Sequence, residues 1–304
     1  MRAVTSQGVR SMLTRGDRIC GCLLGGALGD AIGSYFEGSV AVADFAMPPY
    51  LSITDDTQLT IATCESIVES RTVSPESIAD HFVRWYRDRR LSGVGSSTLK
   101  ALTELDAGGH WAMVGATGER SAGNGAAMRI APLAFFLDPD VVSHRQTFRD
   151  ICRITHRNDE AYVGALAVLR SIRYVINGGT LGADVFTYLI DSLPDSNVRD
   201  RLTIIRDSSI TVEEYVSRFG ATGYVADSVP LAILALIRGG DLMNSIKQLV
   251  NCGGDTDTIA SMYGQIFGAA NGIKSLPLDT INQIDAVAMV RGVASSLSRV
   301  EISM

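Results

Sequence analysis

Proline and glycine interrupt this chain roughly every 15 to 25 residues, and the segments between them carry helical periodicity. One such segment begins at Ser74-Pro75, where the serine is suited to cap a helix and the proline to occupy its first turn. Ile78, Phe82 and Trp85 then recur on one helical face. We find no convincing alternation of apolar and polar residues of the kind that strands show, so the sequence predicts an all-α fold.

Three further segments extend this pattern. Asp227–Arg238 is apolar nearly all round, which indicates a helix at the centre of the fold. Asn158 is suited to open a long helix that Gly178 and Gly179 end, and residues 279–299 are typical of a closing amphipathic helix. We therefore predict a compact orthogonal bundle of roughly a dozen helices.

The composition is that of an ordinary globular protein, with 304 residues of which 46% are hydrophobic and 20% charged. The net charge of −6 argues against nucleic acid or an anionic membrane as the main partner. The five cysteines do not form a zinc set and no signal peptide is recognisable, which together predict a cytoplasmic protein. We expect one domain over residues 17–304, after a partly disordered N-terminal extension of residues 1–16.

Two acidic clusters dominate the candidate chemistry: Thr54–Thr57, of sequence TDDT, and Asp255–Thr258, of sequence DTDT. Each concentrates carboxylates and hydroxyls directly before a helical apolar run. Together they would offer only oxygen ligands and four negative charges, the environment that Mg²⁺ and Mn²⁺ prefer. If the fold brings the clusters together, we expect a cleft that holds two divalent cations, able to bind a diol and to activate water.

For each cluster the alternative is an ordinary helix start. Asp55 followed by Gln58 matches a capping box, and Asp255 is equally suited to cap the helix after it. One cap does not explain four consecutive oxygen-bearing side chains in the first cluster. In the second, Gly253 and Gly254 permit a tight turn and the close approach of another group. Both features favour a metal site.

A third motif, Ser121 to Gly125 (SAGNG), precedes a segment that we predict to be an apolar helix. Gly123 and Gly125 would expose backbone N–H groups at the start of that helix, a suitable seat for phosphate. No strand precedes the motif, which disfavours a Rossmann fold. A plain loop leading into a helix is the alternative.

The segment Gly25–Glu37 has small residues at helical spacing, which permit close contact with a second helix. Asp30 and Glu37 are conspicuous acids in this apolar stretch. Glu37 is interpreted either as an exposed helix end or as a carboxylate on a mobile segment at the mouth of a site. His156 has no serine or cysteine nucleophile signature nearby, so we predict no catalytic triad around it.

Five motifs, taken in order, resemble the ADP-ribosylglycohydrolase family: GGALGDAIGSYFE, TDDT, GNGAAMRIAP, THRNDEAYVGA and GGDTDTIASMYGQIFGA. The resemblance covers about residues 21–272. It implies an all-α bundle with a binuclear Mg²⁺ or Mn²⁺ centre in a cleft. It also implies hydrolysis of the bond that links ADP-ribose to its acceptor, which would be a modified protein or a small conjugate.

The resemblance implies roles for individual residues as well. The metal ligands would be Thr54, Asp55, Asp56, Asp255, Asp257 and Thr258. The residues at the pyrophosphate, the phosphate or the distal ribose would be Ser121, Gly123, Asn124, Gly125 and His156. The general base stays open among Asp56, Asp257 and Glu37. We add Tyr224 as the candidate that stacks on adenine, with a core aromatic as the alternative.

Other functions stay open from the sequence. The chain could be an immunity protein that occludes an ADP-ribosyltransferase toxin, or a catalytically silent structural relative, although the presence of all six ligands weighs against lost catalysis. A two-metal phosphoesterase is a third hypothesis. The GNGAAMR form of the third motif resembles the branch active on serine-linked or polymeric ADP-ribose, so arginine-linked hydrolysis is not assumed.

Overall fold

The computed structural model describes residues 13–41, 45–238 and 240–302. In these ranges the chain forms helices and three isolated β-bridges but no strand, which confirms the all-α prediction. The α-helices of the described ranges are α1 Arg15–Gly33, α2 Asp55–Ser70, α3 Pro75–Arg87, α4 Ser96–Asp106, α5 Trp111–Val114, α6 Val142–Arg153, α7 Asp159–Ile176, α8 Asp184–Ser192, α9 Asn197–Asp207, α10 Val212–Phe219, α11 Val225–Arg238, α12 Leu242–Asn251, α13 Thr256–Asn271, α14 Leu278–Ile281 and α15 Val287–Ser298. Short 3₁₀ helices occupy Ser34–Phe36, Glu119–Ser121, Asn124–Ala126, Ala131–Phe135 and Ile273–Ser275.

Helices α1 and α13 are antiparallel and, among the helices that the structure describes, pack against each other most extensively. A methyl group on Gly29 would overlap the carbonyl oxygen of Ala260, and one on Gly33 would overlap the backbone of Asp257. Only glycine allows two helix backbones to approach this closely. We call this contact the glycine seam; its members are Gly21, Gly25, Gly29 and Gly33 of α1 with Gly264 and Gly268 of α13.

The predicted central helix is present as α11. It begins two residues earlier than expected, at Val225, and is buried along most of its length. The helix predicted after Asn158 is α7, and the Asn158 side chain accepts a hydrogen bond from the N–H of Ala161 (3.0 Å). The start predicted at Ser74-Pro75 is also confirmed, since Ser74 caps α3.

The single C-terminal helix predicted over residues 279–299 is wrong. The chain instead forms the short α14 and then α15. Between them Ile284 pairs with Leu51 in a β-bridge, and the N–H of Asp285 donates to the Leu51 carbonyl (3.0 Å). This contact with a distant segment removes the intervening residues from the helix, which the local pattern could not reveal.

Most of the predicted N-terminal extension, residues 1–16, lies outside the described residues. Of its described residues, Thr14 caps α1 in a reciprocal pair with Asp17, and the helix itself begins at Arg15. The stretch Arg15–Phe36 is long and apolar enough to cross a membrane by length and composition alone. However, 83% of its apolar window is buried inside the protein, as in a core helix.

Candidate active site

The two acidic clusters meet at the end of the glycine seam. The Thr258 hydroxyl donates a hydrogen bond to Asp56 Oδ2 (3.0 Å), across 202 positions of sequence. The carboxylates of Asp56 and Asp257 also approach that of Asp30, with one oxygen of each within 4.8 Å of the others. A second group under the same limit combines Asp257 with Asp255 and Glu37. Asp257 therefore belongs to both groups.

Neither Asp55 nor Asp255, the two acids suited by sequence to cap a helix, makes a capping bond. Helix α2 begins at Asp55 itself, with Thr54 at the cap position and no side-chain capping bond. The alternative interpretation of Asp55 and Gln58 as a capping box is therefore wrong: the Gln58 side chain binds the Ile53 carbonyl and Ser92 instead. Asp255 does occupy the cap position of α13, but its side chain makes no capping bond either.

Burial and mutual repulsion make these acids hard to ionise without a cation. Burial, and then the charge of Asp30, raise the pKa of Asp55 to about 8. Burial, and then the charge of Asp255, raise the pKa of Asp257 to about 9. Burial, and then the charge of Asp257, raise the pKa of Asp56 well above its usual range. Asp56 Oδ1 is buried and has no hydrogen-bond partner among the described residues. A divalent cation would relieve both the repulsion and the missing partner, so the donor set fits a hard metal ion.

Asp30 is a site residue whose role the sequence did not reveal. It is fully buried in α1 and accepts bonds from the backbone N–H of Thr54 (3.0 Å), the Thr54 hydroxyl (2.7 Å) and the N–H of Thr57 (3.1 Å). Burial raises its pKa to about 6, against the effect of these hydrogen bonds. Asp30 thus fixes the first cluster to α1. The only signal was a charged residue within a glycine-rich apolar helix.

A cavity of about 260 Å³ extends from the acids to the Gly123–Gly125 loop and His156. Part of its wall was missed by the sequence reasoning: Gly93, residues 95–98 at the start of α4, and Arg120. The run SGVGSST at residues 92–98 is the signal that was available, since small residues before a helix expose backbone N–H groups.

The Gly123–Gly125 loop reaches the acids through one side chain. Asn124 Nδ2 donates to Asp255 Oδ2 (2.5 Å) and to Ser228 (3.1 Å), while the backbone of Gly123 pairs with Tyr224. The apolar helix predicted to follow is wrong, because the chain makes two 3₁₀ turns there. The Ser121 hydroxyl donates to the Gly118 carbonyl (2.6 Å) and is not part of the cavity wall.

The remaining predicted residues take different positions. His156 is buried and lines the cavity. Glu37 is exposed at the rim, where burial of part of its carboxylate and then the charge of Asp255 raise its pKa. Tyr224 is not in the cavity wall; its hydroxyl accepts a bond from Asn197 (3.1 Å) and Arg201 lies over its ring.

Glu37 is held beside the second cluster by its neighbour. The N–H of Gly38 donates to the Gly254 carbonyl (2.8 Å), and the N–H of Gly254 donates to the Ser39 carbonyl (3.1 Å). Gly254 has a φ of 79°, a conformation that favours glycine, and a Cβ at this position would overlap the carbonyl oxygen of Ala221. The fold and the site thus define an all-α protein whose buried aspartates form a metal-competent cleft beside an anion-compatible loop.

Comparison with known proteins agrees with this class. The family model of ADP-ribosylglycohydrolase matches residues 11–302, and the chain belongs to that family, which is metal-dependent. The chain is 26% identical to ADP-ribosylhydrolase ARH3 of Xenopus tropicalis, over 86% of this chain and 89% of the relative. It is 27% identical to ADP-ribosylarginine hydrolase Tri1 of Serratia proteamaculans, over 92% and 79%. A solved structure, an ADP-ribosylglycohydrolase-related protein complex, matches with a TM-score of 0.71 at 27% identity, covering 94% of this chain and 98% of that one.

Proposed function

We propose that this protein is a metal-dependent hydrolase that releases ADP-ribose from a modified protein side chain or another acceptor. The observation that carries the proposal is the cavity itself, with buried carboxylates at one end and a neutral loop with a buried histidine at the other. ADP-ribose has matching parts, since it offers a vicinal diol and a pyrophosphate. Membership of the ADP-ribosylglycohydrolase family supports the reaction.

The acidic end would hold two divalent cations, Mg²⁺ or Mn²⁺. Their ligands would be Thr54, Asp55, Asp56, Asp255, Asp257 and Thr258, which the two clusters supply. When bound, such cations supply Lewis acidity and a template for neighbouring hydroxyls. Two overlapping carboxylate groups that share Asp257 support the count of two.

The chain's own residues would do the remaining work. Backbone N–H groups of the Gly123–Gly125 loop and the His156 ring would bind the pyrophosphate and orient the substrate. Cleavage of a glycosidic bond develops positive charge on the sugar, which water then attacks. A carboxylate would take a proton from that water as it attacks. Asp56, Asp257 and Glu37 are the candidates for this base. Glu37 is the exposed one of the three, so it has the freest access to water.

Release of ADP-ribose from defined substrates tests the function. Arginine-linked, serine-linked and polymeric ADP-ribose would each be incubated with the protein, and products identified by mass spectrometry. The relatives named above include an ADP-ribosylarginine hydrolase, so all three linkages belong in the assay. We expect release from at least one of them, its loss in EDTA, and its return with Mg²⁺ or Mn²⁺. Undiminished release in chelator would exclude the metal, and release of inorganic phosphate from nucleotides instead would indicate a phosphoesterase.

A further inference from the structure

His156 is held at the loop end of the cavity by two buried neighbours. Thr155 Oγ1 accepts a hydrogen bond from Arg129 Nη2 (2.6 Å) and lies 2.8 Å from His156 Nδ1. Thr155 and Arg129 are fully buried, and His156 is 3% exposed. At the opposite edge of the ring, Nε2 lies beside Gly123 and has no hydrogen-bond partner among the described residues. The free edge of the ring is therefore available to a ligand in the cavity.

The hydrogen bonds of Thr155 favour one of the two ring nitrogens of His156 as the carrier of the proton. A guanidinium only donates, so one lone pair of Thr155 Oγ1 is used by Arg129. Among the contacts of the described residues, the single proton of that hydroxyl then has one acceptor, His156 Nδ1. Burial, and then the charge of Arg129, lower the pKa of His156 to about 3, so the ring is neutral. A neutral ring that accepts at Nδ1 carries its proton on Nε2.

Arg129 also affects the charge at this end of the cavity. Its Nε and Nη1 atoms are buried without a hydrogen-bond partner among the described residues, and the guanidinium lies over the Phe82 ring at 4.8 Å. Burial lowers its pKa only to about 10, which leaves it charged at neutral pH. A buried positive charge behind His156 favours an anion on the cavity side of the ring.

We propose that Arg129 and Thr155 are positioning residues that fix His156 in its Nε2–H tautomer and so make it a hydrogen-bond donor to an anionic oxygen. Under the proposed function this oxygen belongs to the pyrophosphate of ADP-ribose, and that part rests on the proposed function. The opposite tautomer would present a bare nitrogen, suited to accept a bond from a sugar hydroxyl. The two tautomers therefore select different parts of the same substrate.

Nitrogen NMR of the metal-free, ligand-free protein tests the tautomer without reference to activity. The chain has four histidines, and a spectrum of the His156→Gln variant identifies the pair of signals that belongs to His156. We expect Nε2 at the position of a protonated nitrogen and Nδ1 at that of an unprotonated one, unchanged between pH 7 and pH 5. The reverse pattern, or a pair averaged between the two positions, overturns the proposal.

Variants at Thr155 test the mechanism. Thr155→Val removes the hydroxyl and Thr155→Ser keeps it. Thr63→Val is the matched control, because Thr63 is an equally buried threonine whose hydroxyl bonds only to its own helix, at Leu59. We expect Thr155→Val to average the two ring signals and to raise KM about tenfold, the effect of one hydrogen bond to a charged group, with kcat little changed.

Thr155→Ser and Thr63→Val should resemble the parent protein in both readouts. A Thr155→Val protein with unchanged ring signals overturns the proposed role of Thr155, whatever its activity. The expected signals in a protein that releases no ADP-ribose would refute the proposed function and leave the tautomer assignment intact. The two failures are therefore distinguishable.

Discussion

The two ends of the cavity handle charge in opposite ways. The acidic end gathers carboxylates from α1, α2 and α13, and burial raises the pKa of several of them far above the ordinary value. The loop end holds no ionised group in its wall other than Arg120, and its histidine is kept neutral by burial. Under the proposed function the acidic end would take cations from solution, whereas the groups of the loop end are supplied by the chain itself.

This difference teaches how one pocket can bind two unlike parts of a ligand. Cation binding at the acidic end would depend on metal concentration and on pH, because the carboxylates must lose protons before they bind a cation. The loop end is built from backbone N–H groups and a neutral ring, with the charge of Arg129 behind that ring, so its groups are already in place within the chain. Asn124 joins them, because it belongs to the loop and donates to Asp255. Variants on either side should therefore separate metal binding from substrate binding.

The largest effect is expected at the acidic end. Asp257→Asn removes the carboxylate common to both metal-competent groups, and we expect ADP-ribose release to fall about 10³-fold, the scale of several kcal/mol of lost metal-assisted catalysis. Isothermal titration with Mn²⁺ should show lost binding in parallel. Asp191→Asn, at an exposed aspartate, is the control and should retain both. Full activity of Asp257→Asn would refute the site assignment.

The next effect concerns the link between the ends. Asn124→Ala deletes the donor to Asp255 and leaves that carboxylate less well oriented. We expect Mn²⁺ affinity to fall about 10- to 100-fold, with activity restored by excess metal. The measurement is a metal titration followed by rates at saturating Mn²⁺. A loss of activity that excess metal does not restore would place Asn124 at the substrate and not at the metal.

A smaller effect is expected at the loop end alone. A Cβ on Gly125 would lie 2.8 Å from His156 Cε1, so Gly125→Ala should displace the ring. We expect KM to rise about tenfold, as for one lost hydrogen bond to a charged group, with Mn²⁺ affinity unchanged. Gly182→Ala, where an added Cβ meets no atom within 4 Å, is the control. Weakened metal binding in Gly125→Ala would contradict the separation of the two ends.

The smallest effect is on stability. The pKa values of Asp30, Asp55 and Asp257 are raised by burial to about 6, 8 and 9, above the ordinary value of about 4 for an unfolded chain. At a pH between the unfolded pKa of an acid and its folded pKa, the folded protein binds more protons than the unfolded chain. The free energy of unfolding therefore falls as pH rises through that range. Metal-free protein should lose about 4 °C or more in Tm from pH 5 to pH 9.

Scanning calorimetry with and without Mg²⁺ measures this effect. Saturating Mg²⁺ should remove most of the loss at pH 9, because the bound cation stabilises the ionised carboxylates. Asp257→Asn should show a shallower loss in the absence of metal, since one of the titrating groups is gone. A metal-free Tm that is flat or rises over this range would contradict the origin assigned to the pKa shifts.

The sequence predicted what local patterns encode. The cap at Asn158, the apolar run of α11 and the resemblance to the family all followed from short stretches of residues. That the acidic clusters share a cleft was conditional on the fold, because 202 positions separate Asp56 from Thr258. The contact of Asp30 with Thr54 is likewise non-local, and no pattern within α1 points to it.

Both errors lie where the backbone pairs with a distant segment. The backbone of Gly123 pairs with Tyr224, 101 positions further on, and 3₁₀ turns follow where an α-helix was predicted. The last helix is divided because Ile284 pairs with Leu51. There the N–H of Asp285 donates to the Leu51 carbonyl and not to a carbonyl of the predicted helix, and helix propensity alone cannot foresee that exchange.

The glycine seam has a consequence for how this protein tolerates variation. At Gly33 the main chain of α1 is in direct contact with the main chain of Asp257. The position of that acid therefore depends on contact between two backbones, which cannot adjust as side chains can. Even alanine there would shift α13 as a unit and move its carboxylates together. If every position were substituted in turn, replacements at these buried glycines would therefore reduce activity as replacements of the active-site acids do, although glycine has no functional group of its own.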